Sequence, residues 1–462
     1  MAMILKRDYE LLSLRVGLRT TAERASVTCT LEHGTKGDIE RLGEWTADPE
    51  TFGLPRRLER RAAQSSFMIP PFLRQAIEPI AKNVATPDNV LWLHLDHPYG
   101  YLGLVPWETL SQDLGLPVLR LPDVIAPPPR ETPSGLDVAL CASSPVARSQ
   151  FDVVRAVANF SEDAAAGMQR QVRLHVFADR ELFPQLKQDV ARAPSPNVTI
   201  TIYDPSEAGS YAIPERDWAL PEGEQTLRNP WLLWVRNAMR GRSLDVVHFI
   251  GHGYVAQERG ALAVAESPIF NEDRKAARFI GGAELIPFLT QVGAWSVAFT
   301  SPPEVTLDTG LRLLADELGQ RRPGSVLHHT AGVDPAWSAL VQAYVFLYTP
   351  HPTKPPAHES IFIYCQPSQV LRFEDVQPET VLPQGTDVDH AVQAAFATDN
   401  VPVWLAASQR YLEQCSFQAS QIRKAAAPDE TRSVDEFEVV KSTLQQLQGV
   451  VARFSGGGGG QP

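Results

Sequence analysis

The chain has 462 residues, 44% of them apolar, which is enough to bury at least one large core. Its net charge is −12 at pH 7, and it contains no long basic block, so nucleic acid is not an expected partner. No apolar run approaches the length of a membrane span, and four scattered cysteines fit a reducing compartment, so we predict a cytoplasmic protein that does not bind membranes.

The first segment, residues 1–126, has the pattern of an α+β unit. Residues 8–32 place apolar side chains on both sides of a polar turn, which predicts two strands. Residues 56–83 have helical periodicity, interrupted by two prolines, and residues 91–95 form a short apolar strand.

A second helix start in this segment is indicated by Pro106-Trp107-Glu108. Proline is tolerated at the first helical position because its missing N–H would be unpaired there anyway. Trp107 is expected to pack in the core, and Glu108 is expected to cap the first turn.

Residues 126–133 contain three consecutive prolines, which favour an extended spacer and mark the clearest internal boundary. After it, residues 134–370 alternate short apolar strands with helical segments. Such alternation predicts an α/β unit in which helices cover both faces of a mostly parallel sheet.

The most informative strand of this unit is Val246–Ile250, which runs directly into Gly251-His252-Gly253. Glycine permits a sharp turn at the carboxyl end of a strand, where open α/β sheets carry their ligands and chemistry. His252 can exchange a proton near neutral pH, although a histidine that merely stabilises the turn explains the pattern equally well. Residues 257–273 are expected to form an exposed hairpin or lid beside it.

One crossover further on, residues 295–299 form another apolar strand that ends in Thr300 and Ser301. A right-handed crossover places two such strands side by side. A base on one strand end and a hydroxyl on the next is an arrangement that covalent hydrolysis can use. The candidate catalytic residues are therefore His252, Thr300 and Ser301.

A later strand, residues 325–330, contains the adjacent pair His328 and His329. Neighbouring residues on a strand point to opposite faces, so the two rings are not expected to bind one metal ion. No metal site and no cofactor are predicted. Residues 334–348 form a helix with an aromatic end, and residues 361–365 form either the last strand of the core or a small edge strand.

The C-terminal part changes character. Residues 371–455 form a predicted helical extension with one helix over residues 402–426 and another over residues 432–454. The second helix has apolar residues at alternating spacings of three and four, which fits either a hairpin packed on its own domain or an oligomer-forming element. Residues 456–462 are a flexible glycine-rich tail.

Several of these segments together resemble the CHAT-domain family, which is related to caspases and separases. The motif His248-Phe249-Ile250-Gly251-His252-Gly253 is similar to the family's histidine motif. Residues 91–96 and 105–110 resemble its strand followed by a Pro-Trp-Glu segment, and residues 310–348 resemble its later run of helix, strand and helix. The resemblance covers roughly residues 1–370 and implies a caspase-like three-layer α/β sandwich.

In family members that cleave proteins, the second histidine of the motif is the base and a cysteine at the next strand end is the nucleophile. Here that strand end reads Phe299-Thr300-Ser301-Pro302, and none of the four cysteines is close to it in sequence. A hydroxyl is a far weaker nucleophile than a thiol and needs a precisely placed base and an orienting group.

Three functional hypotheses follow. The first is a CHAT-like pseudopeptidase that binds a protein partner as a regulator or scaffold in prokaryotic signalling or defence. The second is a working peptidase or hydrolase that uses Thr300 or Ser301 with His252. The third is a structural subunit that assembles through its C-terminal helices. A protein partner or a homo-oligomer is expected in the first and third cases.

Overall fold

A computed structural model gives the fold of most of the first 370 residues. The described residues are 10–20, 25–35, 38–55, 67–96, 99–124, 135–143, 145, 151–190, 195–211, 227–239, 241–256, 259–269, 277–302, 305–349 and 353–370. The predicted C-terminal helices and the glycine-rich tail lie outside these residues, as do residues 56–66 and 212–226.

Twelve strands of the described residues form one sheet in the order β3-β2-β1-β4-β5-β15-β14-β13-β9-β6-β7-β8, and three more form a small sheet in the order β10-β11-β12. The strands are β1 Leu12–Thr20, β2 Ala25–Thr35, β3 Asp38–Ala47, β4 Leu91–Leu95, β5 Val118–Arg120, β6 Leu136–Ala142, β7 Val172–Ala178, β8 Val198–Ile202, β9 Val246–Ile250, β10 His252–Ala256, β11 Arg259–Ala265, β12 Ala277–Ile280, β13 Ser296–Ser301, β14 Val326–Thr330 and β15 Ile361–Tyr364.

The centre of the large sheet is parallel. Strand β13 pairs in parallel with β9 on one side and with β14 on the other. Thr300 lies opposite Ile250 in one pair and opposite His329 in the other. The prediction of neighbouring parallel strands that bring His252 and Thr300 to one edge of the sheet is confirmed.

Helices cover both faces of this sheet, so the predicted α/β fold with three layers is confirmed. They are α1 Pro71–Ala81, α2 Leu110–Leu114, α3 Val153–Asn159, α4 Phe183–Asp189, α5 Pro230–Ala238, α6 Gly282–Gln291, α7 Val305–Arg321, α8 Ser338–Tyr348 and α9 Pro367–Val370. Apolar side chains of α3, α4 and α8 form the core on one face. Those of α5, α6 and α7 form the core on the other face.

The N-terminal segment extends the same sheet. Strands β1 and β2 are the two predicted strands, and β3, which the sequence analysis missed, pairs with β2 at the edge. Strand β15 lies between β14 and β5, so it joins the two parts of the sheet from its interior. Of the two predicted alternatives for residues 361–365, the last strand of the core is confirmed and the edge strand is wrong.

The small sheet corrects the expectation for residues 257–273. Strands β10 and β11 do form a hairpin, but β11 is almost entirely buried, so residues 259–265, the part of this segment that β11 covers, are not an exposed lid. Its alanines and Leu262 pack inward, and the backbone N–H of Ala265 donates to the Ser143 hydroxyl at the end of β6 (2.8 Å). That bond ties the small sheet to the large one.

Helix α1 begins at Pro71, within the pair of prolines at which the helical pattern was predicted to be interrupted, because proline fits the first helical position. One local expectation in the N-terminal segment changes. Glu108 does not cap a helix; it is buried and bonds to Arg120, whose Nε donates to its Oε1 over 2.7 Å. Trp107 is fully buried, as expected.

Within the described part of the chain, no helix combines the length and apolar character that a bilayer crossing needs.

Candidate functional site at the carboxyl edge of the central strands

His252 lies immediately beyond β9 and begins β10. The preceding residue, Gly251, donates its backbone N–H to the carbonyl of Thr300 (3.2 Å), which holds the turn against β13. In the small sheet His252 is aligned with Ala263, which is in turn aligned with Phe279. The histidine is therefore positioned by both sheets, at the edge where β9 and β13 end.

The ring of His252 is fully buried. It meets the Phe151 ring edge-on, with 6.4 Å between the ring centres. Neither ring nitrogen has a hydrogen-bond partner among the residues that the structure describes. Burial lowers the pKa of His252 to about 4, so the ring is neutral at pH 7. A buried polar group without a partner costs free energy, which makes this ring an unusual feature of the core.

The hydroxyl of Thr300 is also fully buried, and it is bonded to two other histidines. Nε2 of His248 lies 2.9 Å from Oγ1 of Thr300, and Nδ1 of His329 lies 3.2 Å from the same oxygen. The other nitrogen of His248, Nδ1, lies 2.6 Å from the Tyr344 hydroxyl on α8. The Thr300 side chain therefore belongs to the interior network beneath α8.

Ser301 points to the opposite face of the strand. Its hydroxyl donates to a carboxylate oxygen of Asp308 on α7 and lies 3.3 Å from the carbonyl of His329. Asp308 also accepts from the Thr330 hydroxyl over 3.0 Å, and its Oδ1 lies 3.3 Å from Nε2 of His328. Burial alone would raise the pKa of Asp308, but His328, Arg312 and the Ser301 hydrogen bond hold it far below the usual value.

The three predicted site residues thus share one edge of the sheet without forming a hydrogen-bonded unit. Thr300 bonds to His248 and His329, Ser301 bonds to Asp308, and His252 bonds to neither hydroxyl. The alternation of side chains along a strand explains the separation, because consecutive residues face opposite sides. A hydroxyl that acts as a nucleophile with His252 as its base needs a contact of about 3 Å, or one bridging water.

Sequence analysis assigned no role to the two histidines that bond to Thr300, His248 and His329. It also missed their own partners, Tyr344 and Asp334. A signal for His329 exists in the strand register. Side chains of aligned residues in parallel strands share a face, and His329 is aligned with Thr300. His248 is the first histidine of the family-like motif, whereas the predicted base, His252, is the second.

The order Asp334–His329–Thr300 resembles a catalytic triad. Nε2 of His329 lies 3.4 Å from Oδ2 of Asp334, and its other nitrogen contacts the hydroxyl. Such an order can activate a hydroxyl. Here, however, Thr300 and His329 are fully buried and Asp334 is 3% exposed, so a substrate has no route to the oxygen in this conformation.

The described cysteines do not replace the missing thiol. Cys29, Cys141 and Cys365 are free and buried. Cys141 lies on β6, the neighbour of β9, but it packs in the apolar core beneath α5 and the small sheet. Burial raises the pKa of its thiol well above the usual value, which keeps the sulfur protonated. Cys415 lies outside the described residues.

The adjacent histidines of β14 point to opposite faces, as predicted. His328 stacks on Phe362 with 4.9 Å between ring centres, whereas His329 meets Trp337 edge-on at 5.2 Å. The described residues contain no cluster of His, Cys, Asp and Glu side chains arranged to hold a metal ion.

Comparison with known proteins gives no family assignment, because no protein-family model matches the chain and no curated protein sequence matches it significantly.

Proposed function

We propose that the chain is a CHAT-like pseudopeptidase that acts by binding a protein partner, as a regulator or scaffold in a prokaryotic signalling or defence pathway. The family and the setting rest on the resemblance of the sequence motifs. The loss of catalysis rests on the carboxyl edge of β9 and β13.

One observation carries the proposal: both hydroxyls at the end of β13 are committed to other partners. Thr300 is held by two histidines beneath α8, and Ser301 is held by Asp308 on α7. His252 is neutral and buried, and no hydroxyl of the described residues is bonded to it. Within the described part of the chain, the motif histidine therefore has no hydroxyl to activate.

Apolar groups at the same edge support a docking role. Phe279 is 46% exposed and stacks on Tyr254 across the small sheet, with 4.2 Å between ring centres. Val333, which is 43% exposed, lies in the turn after β14, and this strand ends at the same edge as β13. Exposed aromatic and aliphatic side chains of this kind commonly anchor protein partners.

Site-specific photo-crosslinking in the source cells tests this proposal. A benzophenone amino acid is placed at Phe279 or Val333, and at Phe72 as the matched control. Phe72 is equally exposed, at 46%, but lies on α1 in the N-terminal segment. We expect the same discrete protein to be captured from positions 279 and 333 and not from position 72. Equal capture from all three positions, or capture from position 72 alone, would refute a docking edge at this site.

The hydrolase hypothesis retains one supporting observation, the triad-like order Asp334–His329–Thr300. In that version His329 replaces His252 as the base. The absence of access to Thr300 makes it the second candidate, and a hydroxyl-directed probe distinguishes the two.

A further inference from the structure

Five buried side chains form a continuous polar chain through the core. It runs from Tyr344 to His248, Thr300, His329 and Asp334, with contacts of 2.6, 2.9, 3.2 and 3.4 Å in that order. All of them are at most 3% exposed. These side chains lie in the core, apart from Phe279 and Val333, the exposed residues of the proposed docking edge.

The direction of the hydrogen bonds follows from Asp334. This carboxylate accepts the backbone N–H groups of Ala339 and Leu340 at 2.9 and 3.2 Å, and those bonds together with His329 lower its pKa to about 2 against the opposing effect of burial. An ionised carboxylate only accepts, so neutral His329 must carry its proton on Nε2. Its Nδ1 then accepts from Thr300.

The remaining bonds follow in turn. Because Thr300 donates to His329, its oxygen accepts from Nε2–H of His248. Nδ1 of His248 is then unprotonated and accepts from the hydroxyl of Tyr344. The hydroxyls and the nitrogens of His248 are all hydrogen-bonded in this single arrangement, provided that both histidines are neutral. The approach of Nε2 of His329 to Asp334, at 3.4 Å, is an electrostatic contact rather than a hydrogen bond.

The chain connects α8 to three strands of the sheet. His248 lies on β9, Thr300 on β13 and His329 on β14. Asp334 caps the first turn of α8, and Tyr344 lies in its second turn. The polar chain therefore contacts α8 at two points.

The surroundings oppose a positive charge on His248. Its ring is packed against Phe160 and Tyr344, at 4.8 and 5.8 Å between ring centres, and its hydrogen bonds go to neutral hydroxyls. The other histidine of the polar chain, His329, is itself a potential cation and disfavours a charge on His248. Burial, and to a lesser degree His329, hold the pKa of His248 well below its usual value.

His329 has a mixed environment. Its charged or titratable neighbours are Asp334, His328 on the same strand, and Asp308 on α7. The Trp337 ring packs against it as well. Burial outweighs the two carboxylates, so the pKa of His329 is also lowered. Trp337 itself has φ of +57°, a strained conformation for a non-glycine residue, directly before α8.

We propose that these five side chains act as a latch that holds α8 against the sheet while both histidines are neutral and releases the helix when the protein is acidified. Released histidines regain an ordinary pKa of about 6.5 and bind protons that the latched form excludes. Opening is therefore favoured as the pH falls below about 6.5, by up to about tenfold per pH unit for each histidine that gains a proton.

Hydrogen exchange measured by mass spectrometry at pH 7.5 and 5.0 tests the latch in the intact chain. After correction for intrinsic exchange rates, protection of residues 338–348 should fall at least about tenfold more than that of residues 305–321, on the opposite face of the sheet. Equal loss in both helices, or no loss in either, would overturn the proposal.

Two variants separate the latch from general acid sensitivity. His248→Gln keeps a neutral hydrogen-bonding side chain, so it should remove the share of His248 from the pH response of α8 and leave the share of His329. His175→Gln is the matched control. His175 lies on β7, is also buried, and is likewise bonded to a tyrosine and a carboxylate, those of Tyr203 and Asp137. It should keep the wild-type response. A His248→Gln variant that retains the full response contradicts the assignment, and the wild-type comparison of the two helices stands even if that variant does not fold.

Discussion

Arg120 is fully buried, and its charge is balanced from two sides. Its Nε donates to Glu108 over 2.7 Å, and its Nη1 donates to Asp316 over 2.6 Å. Its guanidinium carbon also lies 4.0 Å from the centre of the Phe362 ring. Burial alone would lower the pKa of Arg120, but the two carboxylates more than reverse this effect, so the residue stays charged. The Pro-Trp-Glu segment thus serves the core rather than a catalytic step.

Replacing Glu108 by Gln should therefore destabilise the fold strongly. Without Glu108, the single carboxylate of Asp316 faces both Arg120 and Arg312, whose Nη2 lies 3.8 Å from Glu108 in the wild type. Breaking a buried ion pair in this way typically costs about 3–5 kcal/mol. Urea unfolding followed by tryptophan fluorescence measures the change. The control is Glu78→Gln, which removes an exposed pair with Lys82 (2.6 Å) and should cost less than about 1 kcal/mol. Similar losses in the two variants would show that the Arg120 charge is solvated after all.

Helix α7 and the small sheet approach each other more closely than side chains normally allow. A Cβ atom at Gly310 would lie 2.3 Å from the backbone nitrogen of Tyr254, and one at Gly260 would lie 2.2 Å from the carbonyl oxygen of Gly310. Glycine at both positions therefore permits β10 and β11 to lie against the helix backbone. Because β10 begins at His252, the same contact helps to set the position of the histidine.

Gly310→Ala should disturb this contact. Overpacking of this kind costs about 1–3 kcal/mol, and the strand that begins at His252 must move to relieve it. We expect a lower unfolding midpoint together with a shifted ring resonance for His252 in NMR spectra. Gly209→Ala is the control, because a Cβ atom there has no neighbour within 4 Å. An unchanged His252 resonance in Gly310→Ala would contradict a positioning role for the helix.

The elements that could be predicted are those with a strong local pattern. Strands β9 and β13 are short apolar runs with turn residues at their ends, and their order along the chain implied that they are neighbours. A hairpin was predicted in this region, but its burial in a three-stranded sheet was not, because β11, with its alanines and glycine, has little strand propensity of its own. It is stabilised by α7 and by Ser143, which are distant in sequence.

At the scale of the whole molecule, the N-terminal segment and the α/β unit share one continuous sheet. The junction is β15 beside β5, reinforced by the bonds of Arg120 to Asp316 on α7 and of Tyr364 to the same carboxylate (2.9 Å). The sequence predicted a boundary at residues 126–133, where the proline run lies. The bond between Arg120 and Asp316 could not be predicted, because no local sequence pattern indicates a contact between residues so far apart in the chain.

The candidate site shows the same limit. His252, Thr300 and Ser301 were correctly placed at one edge of the sheet, because strand order alone determines the edge. Which hydroxyl meets which histidine depends on the face to which each side chain points and on the helices that cover it. For that reason His248, rather than His252, is the partner of Thr300.

The central claim, that the edge of β9 and β13 is not a working hydrolase, is tested most directly with a fluorophosphonate probe and the full-length chain. The probe is incubated with wild type and with His252→Ala at neutral pH, with an active serine hydrolase in the same tube as the positive control. Peptide mass spectrometry then locates any adduct. We predict no modification of Thr300 or Ser301 in either protein, because the two hydroxyls are buried and bonded to other groups. Stoichiometric labelling of either hydroxyl in the wild-type protein would contradict the account; labelling that disappears in His252→Ala would identify His252 as the base, and labelling that persists would point to His329.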